Sequence, residues 1–167
     1  MQAIIYYFTG THNTLMVCEK YQEEFAKKGV QCILHPVNQL ANIPDPNKFD
    51  LVGFAYPIHG FNAPYIVYRF LRRLPKVKDK DYFIVKTSGE PVAMNNASSI
   101  HLVKKLKKKG FSRLTNEYHY VMPYNMIFRH TDEQAQKMWH TAQKLIPIDV
   151  KEILTGTHSL LKRPFLG

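Results

Sequence analysis

Residues Ala3-Ile4-Ile5-Tyr6-Tyr7-Phe8 form an unbroken apolar run, and Leu51-Val52-Gly53-Phe54-Ala55-Tyr56 form a second. A strand with one face in water alternates apolar and polar residues. A strand apolar at every position is covered on both faces, as in a parallel sheet with helices above and below. Each run passes through a short loop into a helical pattern, and this unit recurs along the chain. The pattern predicts helix at Leu15–Lys28 closing at Gly29, strand at Val30–His35, strand at Leu51–Tyr56 and helix at about Tyr65–Arg73. It then predicts strand at Tyr82–Lys86, helix at about Ala97–Lys109 closing at Gly110, and strand near Leu114–Val121. A last helix is expected near Asp132–Leu145, restarting after Pro147. Connections of this length suit parallel crossovers. The expected architecture is α/β, a doubly wound five-stranded parallel sheet.

A chain of 167 residues, 45% of them apolar, is long enough to bury one sizeable core. It opens on a core strand with no basic-then-apolar leader, and no apolar run approaches the roughly 20 residues needed to span a bilayer. The expectation is a cytoplasmic protein without membrane contact. Cys18 and Cys32 lack CxxC spacing, which argues against metal and iron–sulfur sites. A cysteine phosphatase needs an arginine six residues after its nucleophile, where this chain has Glu24 and Asn38. Both cysteines are expected in the core, Cys18 on a helical face shared with Leu15 and Phe25.

In a doubly wound sheet the ligand sits beyond the carboxyl ends of the strands, where the strand order reverses. The loops after the first, third and fourth strands converge there. The first, Thr9-Gly10-Thr11-His12-Asn13-Thr14, offers hydroxyls, a glycine and an asparagine leading into a helix N-terminus. Unpaired N–H groups and the partial positive charge of a helix start hold phosphate without lysine. The plainer alternative is a turn whose Asn13 or Thr14 only caps the helix. The second loop, Tyr56-Pro57-Ile58-His59-Gly60-Phe61-Asn62, brings aromatics with glycine and proline. The third, Thr87-Ser88-Gly89-Glu90-Pro91, brings hydroxyl and backbone contacts. One phosphate cradle beside two such walls suits a flat, monophosphorylated heterocycle such as flavin mononucleotide (FMN). Tyr56 or Phe61 is expected to flank such a ring. His59 would stand near it, or be a solvated loop histidine. With Lys86 also close and Glu90 the only acid, a net positive potential is expected there.

The segment Tyr7-Phe8-Thr9-Gly10-Thr11-His12-Asn13-Thr14 resembles the FMN phosphate-loop signature of flavodoxins. It is most similar to the flavodoxin-like half of the ferredoxin–flavodoxin fusion proteins of anaerobes. Tyr56-Pro57-Ile58-His59-Gly60, Thr87-Ser88-Gly89 and Met122-Pro123-Tyr124-Asn125 add to the likeness, which covers roughly residues 1–154 and leaves a tail at 155–167. The resemblance implies a flavodoxin-like fold with strand order 2-1-3-4-5, bound FMN and electron transfer. It also implies cofactor-binding roles for Thr9, Gly10, Thr11, His12, Asn13, Thr14, Tyr56, Pro57, Ile58, His59, Gly60, Phe61, Thr87, Ser88 and Gly89. Three departures stand out. His12 occupies a glycine position of the family pattern. The third loop continues as Gly89-Glu90-Pro91-Val92-Ala93-Met94 instead of being glycine-rich. No cysteine-rich ferredoxin portion follows, so an iron–sulfur partner would be a separate molecule.

Charge is the feature the resemblance leaves unexplained. The net charge is +10, and the segment from Arg69 to Arg113 carries 13 of the 23 basic residues but only Asp79, Asp81 and Glu90 of the 13 acidic ones. Solvated helix faces account for any single lysine. Such a concentration favours an acidic redox partner, for example a ferredoxin, attracted by steering. The lysines lack interleaved aromatics and any recognised nucleic-acid motif, which disfavours nucleic acid. Two other functions stay open: an FMN-dependent NAD(P)H reductase of a small acceptor such as a quinone, and a fold that has lost FMN and serves as a basic binding module. His101, His119, His130, His140 and His158 show no metal spacing and read as ordinary. Trp139 is expected to pack on the sheet. The tail, with Leu160-Leu161 and Phe165-Leu166, would dock on its own domain or on a second copy in a homodimer.

Overall fold

The computed structural model describes residues 1–123 and 129–161. Five parallel strands run β1 (Gln2–Tyr7), β2 (Gln31–Pro36), β3 (Leu51–Pro57), β4 (Lys80–Ser88) and β5 (Phe111–Val121), in the order β2-β1-β3-β4-β5. Helices α1 (Asn13–Lys27), α2 (Tyr65–Arg73) and α3 (Ile100–Lys108) lie in the crossovers, and α4 (Asp132–Thr155) follows β5. The sheet, its order and its doubly wound layout are those expected.

Both faces are covered, which is why β1 and β3 carry no polar alternation. On one face Ala3, Ile5, Phe83, Val85, Tyr118 and Tyr120 pack under α1 and α4. On the other, Ile4, Tyr6, Phe54, Tyr56 and Ile84 pack under α2 and α3. Cys18 and Cys32 are buried free thiols, as expected. The buried face of α1 is Thr14, Val17, Cys18, Tyr21 and Phe25, however, and Leu15 lies only at its margin.

Two boundaries differ from the sequence pattern. The helix expected from Ala97 begins at Ile100, because residues Val92–Asn95 first form a separate 3-10 turn. The helix expected to break at Pro147 instead runs unbroken through it to Thr155. An internal proline costs about 3 kcal/mol. Ala142 and Ile146 before it and Val150 and Ile153 after it lie on one buried stripe. Burying side chains of this kind yields about 1.5–3 kcal/mol each, so packing overrides the local penalty. Trp139 is half-buried against the same core.

Between α3 and β5 the chain makes a tight approach at Gly110, whose φ is 97°. A Cβ there would lie 1.7 Å from the Val77 carbonyl oxygen, so only glycine fits. After α4 the described part of the tail returns to its own domain. The Glu117 N–H donates to the Ser159 carbonyl at 2.7 Å, and the Asn116 side chain donates to that of Thr157 at 2.8 Å. This covers part of the β5 edge.

A polar thread crosses the α1/α4 layer. The Tyr21 and Tyr120 hydroxyls lie 2.7 Å apart, and Tyr120 donates to the Asp149 carboxylate. Burial pushes the Asp149 pKa up to about 6; the Tyr120 hydrogen bond opposes this and Glu152 adds to it. An unfolded aspartate titrates near 3.9. Its contribution to stability is therefore complete at low pH and lost as pH rises through about 6. Asp149→Asn should raise stability by about 1–2 kcal/mol at pH 8, after discounting for its partial exposure, with the gain gone by about pH 4. Urea unfolding at the two pH values checks this; an equal gain at both would mean the carboxylate charge is not the cause.

Candidate functional site

The first loop is shaped by the way α1 starts. His12 takes the left-handed conformation at φ 75°, which histidine tolerates better than bulkier residues do, so the turn survives without glycine. No side chain caps the helix at this position. Instead the Thr9 hydroxyl accepts the Leu15 N–H at 3.4 Å, leaving its own proton free to donate. Among the described residues, the backbone N–H groups of Thr11, His12, Asn13 and Thr14 have no hydrogen-bond partner. Four unpaired amides at a helix start form a ready anion cradle.

Two side chains of this loop are already engaged. Asn13 donates its amide to the Pro123 carbonyl at 2.9 Å, tying α1 to the segment after β5. The Thr14 and Thr87 hydroxyls lie 2.9 Å apart and buried, tying the first loop to the third. One proton bridges that pair, so the other is available to a ligand.

The second loop is closed by a reciprocal pair, His59 N–H to Asn62 oxygen at 2.9 Å and Asn62 N–H to His59 oxygen at 3.0 Å. Gly60 and Phe61 have φ of 53° and 60°, a type I′ turn. Glycine suits its place; a phenylalanine in left-handed backbone is strained by about 1–2 kcal/mol. That strained Phe61 side chain is 63% exposed at the tip. The loop is held to the third by the Ile58 N–H on the Thr87 carbonyl at 2.9 Å.

Beneath the third loop lies a network that sequence reading missed. Ser88 donates to the Glu90 carbonyl at 3.1 Å, and its oxygen lies 2.7 Å from His119 Nε2. A hydroxyl has one proton, so the histidine is the donor of the second bond. His119 is buried. Burial, with the Lys86 ammonium adding, lowers its pKa to about 4, so it is neutral at physiological pH. Lys86 and Glu117 are both fully buried and paired at 2.9 Å. The ammonium also donates to Ser98 Oγ at 3.0 Å and the Asn95 carbonyl at 3.2 Å, and Glu117 accepts from the Ser99 hydroxyl. Lys86 therefore does not add free positive charge to the site, contrary to the sequence expectation: strand alternation turns it toward α3, where Glu117 neutralises it.

These loops enclose a cavity of about 550 Å³ at the carboxyl ends of β1, β3 and β4. Gly10, Thr11, Asn13 and Thr14 line it from the first loop, and Pro57, Ile58, His59 and Gly60 from the second. Thr87, Ser88, Gly89 and Glu90 line it from the third, with Met122 and Pro123 closing the side after β5. Four expected residues are placed elsewhere. Thr9 supports the loop from behind, the exposed His12 shapes its backbone, and Phe61 projects into solvent. Tyr56 is wholly buried under α2 and α3, because period-two alternation along β3 sends it to that face. Tyr124 and Asn125 lie outside the described residues. Glu90, Met122 and Pro123, present in the sequence motifs but not among the expected cofactor-binding residues, line the cavity as well.

The volume is in the range of small-molecule and cofactor sites, about 300–1,000 Å³. Among the described residues, no lysine or arginine lines it, and Glu90 is its one carboxylate. A phosphate there would be held by amides and hydroxyls alone. The residues present fit FMN on this ground: an unpaired amide cradle at one end, and apolar and backbone-rich walls at the other.

No protein-family model matches the sequence, and no curated protein matches it. Solved structures do match in shape. A short-chain flavodoxin associated with a non-canonical PDU bacterial microcompartment superposes with TM-score 0.66 at 14% identity, over 94% of this chain and 99% of that one. An NAD(P)H:quinone oxidoreductase from Methanothermobacter marburgensis gives 0.61 at 12% identity, over 88% and 96%. A Fusobacterium nucleatum flavodoxin variant bound to flavin mononucleotide gives 0.58 at 14% identity, over 91% and 96%. The fold is flavodoxin-like. The narrower kinship with ferredoxin–flavodoxin fusion proteins rests on the sequence motifs alone. Among the described residues, no helix is long and apolar enough to cross a membrane.

Proposed function

We propose that the cavity binds FMN and that the protein is an electron carrier of the flavodoxin type. The observation that carries this reading is the row of unpaired amides from Thr11 to Thr14, opening into a cavity walled by two further loops. In this reading those amides, with the Thr11 hydroxyl, hold the phosphate. The backbone of Ser88, Gly89 and Glu90 borders the ring edge, and the His59–Asn62 turn stands beside the ring. Bound FMN would supply the capacity to take up and release electrons, while the protein supplies position and electrostatics. The basic Arg69–Arg113 region favours an acidic redox protein, such as a ferredoxin, as the partner.

A second reading is an FMN-dependent reductase that takes hydride from NAD(P)H and passes electrons to a small acceptor. It is favoured by the similarity to an NAD(P)H:quinone oxidoreductase. Titrating the protein with FMN, followed by flavin fluorescence, tests both. One-to-one binding at or below about 1 μM is expected, a free energy near −8 kcal/mol. No binding at a hundredfold higher concentration removes both flavin readings and leaves the basic binding module. Rapid NAD(P)H oxidation by the loaded protein with a quinone present would select the reductase.

A further inference from the structure

Helices α2 and α3 lie side by side over the same face of the sheet, and between them runs a groove of about 210 Å³. Its floor is formed by the half-buried Tyr68 and the buried Leu71, and its walls by Arg72, Lys76, Lys105, Lys108 and Lys109. A contiguous surface hollow adds Lys104 and Lys107 beside the shared Lys105 and Lys108. Among the described residues, no carboxylate lines either hollow and none forms an ion pair with any of these cations.

The same chain pairs its lysines elsewhere. On α1, Lys20 and Lys27 each bridge Glu23 and Glu24 at 2.8–3.0 Å, and on α4 Lys137 meets Glu133 at 3.1 Å. On α3, Lys104 and Lys108 stand one turn apart with no acid between, an arrangement that destabilises a helix. The helix dipole favours cations in a last turn, which explains part of the set. It does not explain Lys104, which precedes that turn, or Lys76, which lies beyond α2. Burial and the neighbouring Lys76 charge lower the Lys109 pKa, so positive charge here is crowded as well as unpaired.

We infer that this groove is a docking site for an acidic protein segment that carries one apolar side chain. Its carboxylates meet Arg72, Lys76, Lys105 and Lys108, and its apolar side chain enters over Tyr68 and Leu71. Carboxylates on a protein fit better than nucleic acid. The hollow admits a side chain or two, and Tyr68 meets His101 edge to face at 5.0 Å instead of offering a stacking platform. The inference rests on the acidic-partner reading above but not on FMN binding. Both helices start from the second and third loops of the cavity, and the groove lies along their C-terminal halves, toward the opposite end of the sheet from those loops.

The test uses a short labelled peptide of glutamates around a single phenylalanine, with fluorescence anisotropy as readout. Wild type should bind it, with affinity falling as salt rises. Lys105→Glu with Lys108→Glu should weaken binding at least about tenfold, whereas Lys28→Glu, just past the end of α1, should change it by less than about twofold. All three lysines are exposed, so a folded variant is expected and circular dichroism verifies it. Replacing the peptide's phenylalanine by serine should cost at least about fivefold. Wild type that ignores the peptide overturns the acidic partner and the groove together. Binding insensitive to Lys105 and Lys108 overturns the groove alone, and indifference to the phenylalanine overturns the apolar anchor. An oligothymidylate that binds more tightly, with the same sensitivity to Lys105 and Lys108, reassigns the groove to nucleic acid.

Discussion

Lys86→Met is expected to lower folding stability by about 3–5 kcal/mol, the usual cost of leaving one member of a buried ion pair alone. Lys86 and Glu117 are both fully buried at 2.9 Å, and the ammonium has three acceptors: Glu117, Ser98 and the Asn95 carbonyl. Removing it strands the Glu117 carboxylate and frees the segment holding the 3-10 turn Val92–Asn95 and the start of α3. The double variant Lys86→Met, Glu117→Leu should recover most of that loss, since an apolar pair of similar volume is often neutral. Chemical denaturation of the singles and the double gives the coupling directly. If Lys86→Met costs under about 1 kcal/mol, water or rearrangement satisfies Glu117 and the pair is not structural.

Riboflavin should bind at least about 100-fold more weakly than FMN. Riboflavin lacks the phosphate, so the amides of Thr11 to Thr14 would receive no anion, and hydrogen bonds to charged groups are worth about 1.5–3 kcal/mol each. Loss of two of them already corresponds to about 100-fold. Thr11→Val, which removes one hydroxyl at the cavity wall and leaves every backbone amide in place, should weaken FMN about tenfold and leave riboflavin unchanged. Parallel titrations of the two flavins check this. Equal affinity for both would remove the phosphate-cradle assignment, whatever the fate of the ring contacts.

What could be read without coordinates follows from short-range rules. The unalternating runs at Ala3–Phe8 and Leu51–Tyr56 demanded helices on both faces. The strand-loop-helix recurrence set the crossovers, and the three loops had to meet at the switch point because parallel connections leave them no other place. Thr9 to Thr14, Tyr56 to Phe61 and Thr87 to Gly89 were the expected set, and eleven of those fifteen residues line the cavity. Each rule acts over about ten residues, the reach of a helix turn or a strand's alternation.

The remaining features depend on pairings far apart in the chain. Ser88 meets His119, and Lys86 meets Glu117, across 31 residues in both cases. Those meetings depend on the register of β4 against β5, which shifts around Tyr82 and Phe83. No local pattern carries that register, so His119 read as ordinary and Lys86 as a free cation. The sheet beneath Ile146 and Val150 likewise keeps α4 continuous through Pro147, where propensity alone ends a helix. Periodicity and composition determine which elements form and which ends of them gather at a site. Which side chains face one another inside that site depends on strand register and layer packing, because a one-residue slip of a strand reverses every side chain it carries.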